Sequence, residues 1–318
     1  MKFFSRQSIC ETGADPILVF GDGLVGKQIV RALTGESTFK YEDIPYLWSL
    51  SLFSRQAQES RIESILADRL ASCRSFGTIL SIVWSAGKAG FESDDSDIEL
   101  ELSEFKSIFA MINRICQKLS YMQIKVFFIS SAGALFEGQR QIHSDSIPLP
   151  RRPYGHLKLA QESFLSSLES VSVYIYRLSS VYGAYASRDR KNLISALLRA
   201  AHKREIFKVS GNLSTLRDFI NSEDVGIFVA KEILKTVPYA TNKPLCLASS
   251  KPSSIFEIRK IIEDMLMRKI YISFDPKPTN ALDITYSPSL IPSVIWNPID
   301  IRTGVRRLYS LMHLNGIS

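Results

Sequence analysis

The stretch Val19-Phe20-Gly21-Asp22-Gly23-Leu24-Val25-Gly26-Lys27, "VFGDGLVGK", spaces three glycines as G-x-G-x-x-G directly behind the apolar run of residues 16–20, "PILVF". An amphipathic segment, "VGKQIVRALTG", follows. A strand, a glycine loop and a helix in that order form the context in which this spacing cradles a dinucleotide pyrophosphate. Gly21 permits the tight turn, Gly23 lets the backbone approach the anion, and Gly26 allows close helix packing. Leu24 and Val25 open the helix, whose first N–H groups have no intrahelical partner and point at the phosphates.

Outward from this loop, apolar β-rich runs recur at residues 17–20, 78–84 ("TILSIVW"), 125–129 ("KVFFI") and 171–176 ("VSVYIY"). Helical patterns separate them, at residues 105–119 and 156–168 among others. Strands alternating with helices predict an α/β fold with a doubly wound parallel sheet. The second strand is expected within residues 46–53, "YLWSLSLF". It carries no acidic residue at its end to hold a ribose 2′-hydroxyl. Ser54-Arg55 stands there instead, and an arginine suits a 2′-phosphate, so NAD and NADP are both open. After about residue 180 the chain becomes richer in Pro and Ser. The expected division is a dinucleotide-binding domain at residues 14–180, with its sheet continuing to about 250, and a smaller substrate-binding lobe mainly from residues 181–318.

Bulk properties narrow the function. Among the 318 residues, 45% are hydrophobic and 22% charged. That is ordinary for a globular protein, and no apolar run approaches the roughly 18–20 residues of a membrane span. The N-terminal "MKFFSRQSICETGADP" does not read as a secretory signal, so a cytoplasmic location is expected. Cys10, Cys73, Cys116 and Cys246 show no C-x-x-C spacing and no histidine partner, which argues against a disulfide framework or a metal site. The net charge of +7 is spread along the chain without an arginine-rich run, so it suits an anionic small molecule rather than nucleic acid. The acidic run at residues 92–104, "ESDDSDIELELSE", reads as a solvated loop leading into a helix.

Proton abstraction from a sugar alcohol needs a base, and a tyrosine with its ordinary pKa of ~10 serves only if a nearby cation stabilises the phenolate. A lysine four residues on does this when both lie on one helix. The spacing occurs three times, as Tyr121/Lys125, Tyr154/Lys158 and Tyr239/Lys243. Tyr121/Lys125 runs into a strand, and Tyr239/Lys243 sits in the turn "VPYATNKP". Tyr154/Lys158 opens the helical "PYGHLKLAQESFLSSL" behind Pro153.

These elements, in order, resemble the extended short-chain dehydrogenase/reductase family of nucleotide-sugar epimerases, dehydratases and reductases. The matching segments are "VFGDGLVG", "IVWSAG", "FFISSAGALFEG", "PYGHLKLAQE", "YRLSSVYG", "TLRDFINSEDV" and "IWNPIDIRTGV", and they cover almost the whole chain. The resemblance implies a Rossmann-type fold, an NAD or NADP cofactor, a nucleotide-sugar substrate, and a homodimer through the helices at residues 105–119 and after Tyr154. It places Tyr154, Lys158 and a strand-end hydroxyl at the reacting centre. Ser85, Ala86 and Gly87 line the cofactor, and Ser130, Ser180 and Arg217 touch the substrate. Arg217 fits the nucleotide diphosphate, because its fork engages two phosphate oxygens.

The hydroxyl partner has two alignments. From the strand side it is Ser131, the preferred choice, whereas counting back from "LFEG" reaches Ala132 or Gly133, which carry no hydroxyl. Three departures stand out: a glycine loop one residue tighter than usual, Ser180 where many relatives have asparagine, and no Thr-Asp-Glu triplet, which disfavours dehydratase chemistry. The resemblance implies an epimerase working through a keto intermediate. A one-way keto-sugar reductase, supported by "ALFEG", and a catalytically silent dinucleotide-binding sensor or scaffold are the alternatives.

Overall fold

The structure, a computed structural model, describes residues 1–6, 15–35, 39–47, 52–73, 78–119, 123–183, 192–235, 238, 243–275, 282–290 and 295–314. The first part of the chain runs β1 (Lys2–Arg6), β2 (Ile17–Phe20), α1 (Leu24–Gly35), β3 (Phe39–Asp43), α2 (Leu52–Ser72), β4 (Ile79–Trp84) and α3 (Asp95–Lys118). It continues with β5 (Gln123–Ser131), α4 (Ala132–Leu135), α5 (Pro153–Ser166), β6 (Val171–Leu178), β7 (Ser180–Tyr182) and α6 (Leu193–Lys203). Then come β8 (Phe207–Ser210), β9 (Leu216–Arg217), β10 (Phe219–Asn221), α7 (Ser222–Ile233) and β11 (Leu245–Leu247). The last elements are β12 (Ser253–Ser254), α8 (Ile255–Leu266), β13 (Ile272–Asp275) and α9 (Ile301–Leu314).

Seven strands form the main sheet in the order β11-β6-β5-β4-β2-β1-β3. From β2 to β11 all pairings are parallel, whereas β1 is antiparallel to both of its neighbours. Helices cover both faces, so β2 is buried at every residue and reads as a continuous apolar run. On one face Ile29, Leu33, Val225 and Val229 of α1 and α7 pack on Val19, Val83 and Phe127. On the other, Leu66, Phe105, Ile108 and Ile112 of α2 and α3 pack on Leu18, Leu80, Ile82 and Phe128. This is the doubly wound Rossmann-type architecture, with its glycine loop at the carboxyl end of a central strand. Beyond β6, residues of α6, α8 and α9, including Leu197, Ile258, Ile262, Val305 and Leu308, form a further core around Tyr182. Ser254 and Glu257 close a capping box on α8. Among the described residues, no helix is long and apolar enough to cross a membrane.

Two sequence expectations are corrected. The strand after α1 is β3, "FKYED", and not the segment at residues 46–53. Tyr46 and Leu47 are irregular, residues 48–51 lie outside the described ones, and Leu52 begins α2. As the edge strand, β3 buries only Phe39, so it lacks the apolar signature that the interior strands carry. Arg55 therefore belongs to the first turn of α2, near Tyr46, with one guanidinium nitrogen buried and without a hydrogen-bond partner among the described residues. It does not follow a strand. The acidic run is also mostly helical: Asp94 caps α3 by accepting from Asp97 N at 3.0 Å, and Glu101 and Glu104 are buried.

Candidate active site

The glycine loop separates into two kinds of position. Gly21 has φ +107°, and a Cβ there would lie 2.5 Å from the Ser85 carbonyl carbon. A Cβ on Gly26 would lie 2.2 Å from the Gly21 carbonyl oxygen. Both are glycines because the protein packs on itself. At Gly23 a Cβ would meet nothing within 4 Å, so internal packing does not require glycine there. The open space lies at the N-terminus of α1, where an anion is favoured.

Ser85 and Ala86, just past the end of β4, border this loop, and Gly87 follows them. Ser85 is locked to the β2 end, its N and Oγ donating to the Phe20 carbonyl at 2.9 and 2.8 Å. Beyond them, the buried Glu101 carboxylate of α3 accepts from Lys88 N at 2.7 Å and Ala89 N at 2.8 Å. Its other oxygen faces Gly87, where a Cβ would approach to 2.5 Å. Glu101 thus holds the strand-end loop in shape.

Pro153 opens α5, and Tyr154 and Lys158 share one of its faces. Lys158 is 4% exposed, with Nζ 5.7 Å from the Tyr154 ring centroid and 5.2 Å from that of Phe128. Of its three donors, one is used within the described residues, on Gln161 Oε1 at 3.1 Å. A buried ammonium with donors to spare and a Gly23 position that no side chain or backbone crowds both fit a dinucleotide, the first as a partner for ribose hydroxyls and the second for its pyrophosphate.

The two serines at the end of β5 point to opposite sides, as alternate strand residues must. Ser131 caps α4, its Oγ accepting from Ala134 N at 3.2 Å. That Oγ would stand 3.9 Å from a Cβ at Gly133, whose other neighbour is the Phe91 ring at 4.0 Å. Phe91 in turn lies 5.8 Å from the Tyr154 ring, centroid to centroid. Phe91 thus neighbours both Gly133, beside Ser131, and Tyr154. Ser130 does not join them. It is 3% exposed and donates to Glu162 Oε1 at 2.5 Å, in a buried network that Arg177 completes with contacts of 2.6–3.2 Å. The Ser130 hydroxyl, expected at the substrate, is thus buried and bonded to Glu162.

On the far side of Tyr154, Arg152 grips the buried Glu137 carboxylate at 2.7–3.1 Å and lies 5.2 Å from the Phe91 centroid. The sequence gives no sign of this pair. Arg217 of β9 is half-buried, and its guanidinium donates to the Leu282 carbonyl. Burial pulls its pKa below the usual arginine range, while Glu137 and Asp283 act in the opposite direction. Arg217 thus sits in the same electrostatic neighbourhood as Glu137 and Arg152. Ser180, half-buried in β7, donates its main-chain N–H to the Asp218 carbonyl at 3.0 Å. The Asp218 carboxylate accepts from Ser179 Oγ, Ser249 N and Ser249 Oγ at 2.7–2.8 Å, a structural junction beside the arginine.

A model of the NAD dependent epimerase/dehydratase family matches residues 17–234. Among solved structures, the chain is similar to UDP-glucuronic acid 4-epimerase from Bacillus cereus in complex with UDP-glucuronic acid and NAD. That match has 16% identity and a TM-score of 0.72, covering 94% of this chain and 99% of that one. The UDP-glucose 4-epimerase of Thermus thermophilus in complex with NAD matches at 16% identity and TM-score 0.71, over 95% of this chain and 99% of that one. ADP-L-glycero-D-manno-heptose-6-epimerase from Helicobacter pylori matches at 18% identity and TM-score 0.61, over 81% of this chain and 76% of that one. At these identities the likeness is one of fold. A comparison with curated proteins by sequence finds no match.

Proposed function

The chain belongs to the NAD dependent epimerase/dehydratase family, enzymes of the extended short-chain dehydrogenase/reductase type, and we propose that it is an NAD(P)-dependent nucleotide-sugar epimerase. The observation that carries this reading is the pairing of Tyr154 with a buried Lys158 on α5, in a fold whose glycine loop has open space at Gly23.

A bound NAD(P) supplies a nicotinamide able to take a hydride from a sugar carbon and return it. The chain's own groups handle the proton and the geometry. Tyr154, as phenolate, takes the proton from the hydroxyl on the reacting carbon, which leaves a keto-sugar. After the sugar turns its other face, Tyr154 returns the proton. Lys158 stabilises the phenolate with its charge and offers its spare donors to the nicotinamide ribose. Ser131, already accepting from Ala134 N, retains its own O–H to donate to the reacting oxygen. Arg217 engages the nucleotide diphosphate, with Ser180 beside it. The apolar Phe91 lies against both Tyr154 and Arg152.

A homodimer through the outer faces of α3 and α5 is part of this proposal. Those faces expose Ser103, Lys106, Asn113, Gln117 and His156, while Phe105, Ile108, Ile112 and Leu165 turn inward. Such a dimer would have a polar interface and dissociate on dilution, which light scattering across a concentration series would reveal.

The deciding experiment mixes the protein with UDP-, GDP- and dTDP-sugars and follows product identity together with nicotinamide absorbance. An epimerase converts the sugar with no net absorbance change. Stoichiometric consumption of NAD(P)H would establish the reductase instead, and cofactor binding with no turnover of any sugar would favour the silent binder.

A further inference from the structure

Lys158 and Gln161 stand one turn apart on α5, and both are buried, at 4% and 0% exposure. The lysine Nζ donates to Gln161 Oε1 at 3.1 Å and forms no ion pair among the described residues. The carboxylates on α5 and its neighbours do not serve it. Glu162, next in the helix, is bonded to Ser130 and to Arg177 of β6. Glu101 and Glu104 of α3 are buried, the first accepting from Lys88 N and Ala89 N, and Lys106 of α3 lies 5.9 Å from the Phe164 ring centroid. From β5 the ammonium meets the Phe128 ring at 5.2 Å, and α4 carries no charged residue. A neutral amide is thus the hydrogen-bond partner of this buried cation. An ammonium donates and cannot accept, so the amide must turn its oxygen to it. The other end of the amide is left over: Gln161 Nε2 is buried and has no hydrogen-bond partner among the described residues. A buried orphan donor destabilises a fold, and an apolar side chain of the same size would fill this place without one. Lys158, and not packing, accounts for a glutamine here.

We propose that Gln161 is a positioning residue of the reacting centre, whose amide oxygen anchors the Lys158 ammonium beside Tyr154 without cancelling its charge. The inference rests on the Tyr154/Lys158 reading above and adds the group that keeps the lysine in its working state. Two properties of the amide matter. Its oxygen gives a buried ammonium an acceptor, in whose absence burial favours the neutral amine. Its neutrality leaves the positive charge whole, whereas a carboxylate in the same place would anchor the ammonium equally well and cancel most of its field at a phenolate beyond it.

A double-mutant cycle on folding separates anchoring from packing. Gln161→Met keeps the length of the side chain and removes the acceptor, so it should lower the unfolding temperature of wild type. In the Lys158→Met background the same change removes an amide with nothing left to bond, and should leave that temperature unchanged or raise it. Gln161→Glu keeps shape and acceptor but adds the opposing charge. Tyrosinate ultraviolet absorbance, taken as the difference between each protein and its Tyr154→Phe counterpart, should show the Tyr154 phenolate forming about one pH unit higher in Gln161→Glu than in wild type. Turnover at neutral pH of any sugar that wild type converts should fall about tenfold with it. A packing role would leave the absorbance midpoint in place. Equal effects of Gln161→Met in the two backgrounds, or an unmoved phenolate in a folded Gln161→Glu, would overturn the assignment while leaving the Tyr154/Lys158 reading intact. Full turnover by Tyr154→Phe would instead remove that reading, and the role of Gln161 with it.

Discussion

Lys158 Nζ lies 5.7 Å from the Tyr154 ring centroid, only 4% of the residue being exposed, and spends one of three donors on Gln161. A buried ammonium with unused donors is costly to the folded chain, and its spare donors suit a ligand. Lys158→Met should therefore unfold at the same or a higher temperature than wild type in the absence of dinucleotide, yet bind dinucleotide more weakly. Tyr154→Phe should leave binding nearly intact and lower turnover by about 10²-fold or more. Thermal unfolding, titration and rate measurements on both variants separate the roles. A Lys158→Met protein that is destabilised but binds normally would make the lysine structural.

The glycine loop offers a sharper contrast. Gly23→Val places its side chain in open space and should fold with wild-type stability while losing dinucleotide binding. Gly26→Ala drives a methyl to within 2.2 Å of the Gly21 carbonyl oxygen and should cost about 1–3 kcal/mol of stability. Urea unfolding and titration of the two variants check both halves. Normal binding by a folded Gly23→Val would remove the loop from the site.

How far the sequence discloses this arrangement depends on the range of the contacts involved. β2 is legible to the residue, because a strand covered on both faces is apolar throughout. The Tyr154/Lys158 pair is legible because a helix fixes i,i+4 neighbours and Pro153 marks where the helix begins. β3 is not, since an edge strand with one buried residue has no hydrophobic period to read. The apolar segment at residues 46–53 attracts the strand assignment in its place, and with it the ribose-reading role of Arg55. The insertion of β1 beside β2 leaves no local trace either, since Lys2 and its partner Asp43 in β3 are 41 residues apart. Likewise the contacts of Phe91 with Tyr154 and of Glu137 with Arg152 join separate segments, and only the fold brings them together.

Burial leaves a pH signature. It pushes the Cys116 thiol up to about 11 and the Cys246 thiol up to about 12, against roughly 8.5 in an unfolded chain. These folded-state values are raised, so the associated stability is complete below the unfolded pKa and is lost as pH rises towards the folded one. Stability should fall between about pH 8.5 and pH 12, by about 1.4 kcal/mol per pH unit for each thiol within its window. Urea unfolding at stepped alkaline pH, compared with Cys116→Ala and Cys246→Ala, tests the origin of the slope. A slope unchanged in both variants would assign it to other groups.

The paired serines at the end of β5 provide the most direct test of the reacting centre. Ser130→Ala removes a hydrogen bond to the buried Glu162 carboxylate and should cost about 1.5–3 kcal/mol of stability. The Arg177–Glu162 pair stays in place, so kcat and KM per folded molecule should be unchanged. Ser131→Ala removes the cap of the four-residue α4, a cost of about 1 kcal/mol, and also the O–H proposed to meet the reacting oxygen. Its kcat should fall by about 10²-fold, because a donor aimed at developing charge acts mainly in the transition state. Both variants are thus destabilised, but only one should be slow, which makes kcat measured well below the unfolding temperature the informative quantity. Full activity in Ser131→Ala would leave Tyr154 without a hydroxyl partner from this strand end, since Ala132, Gly133 and Ala134 carry none. The proposed reacting centre would then rest on Tyr154 and Lys158.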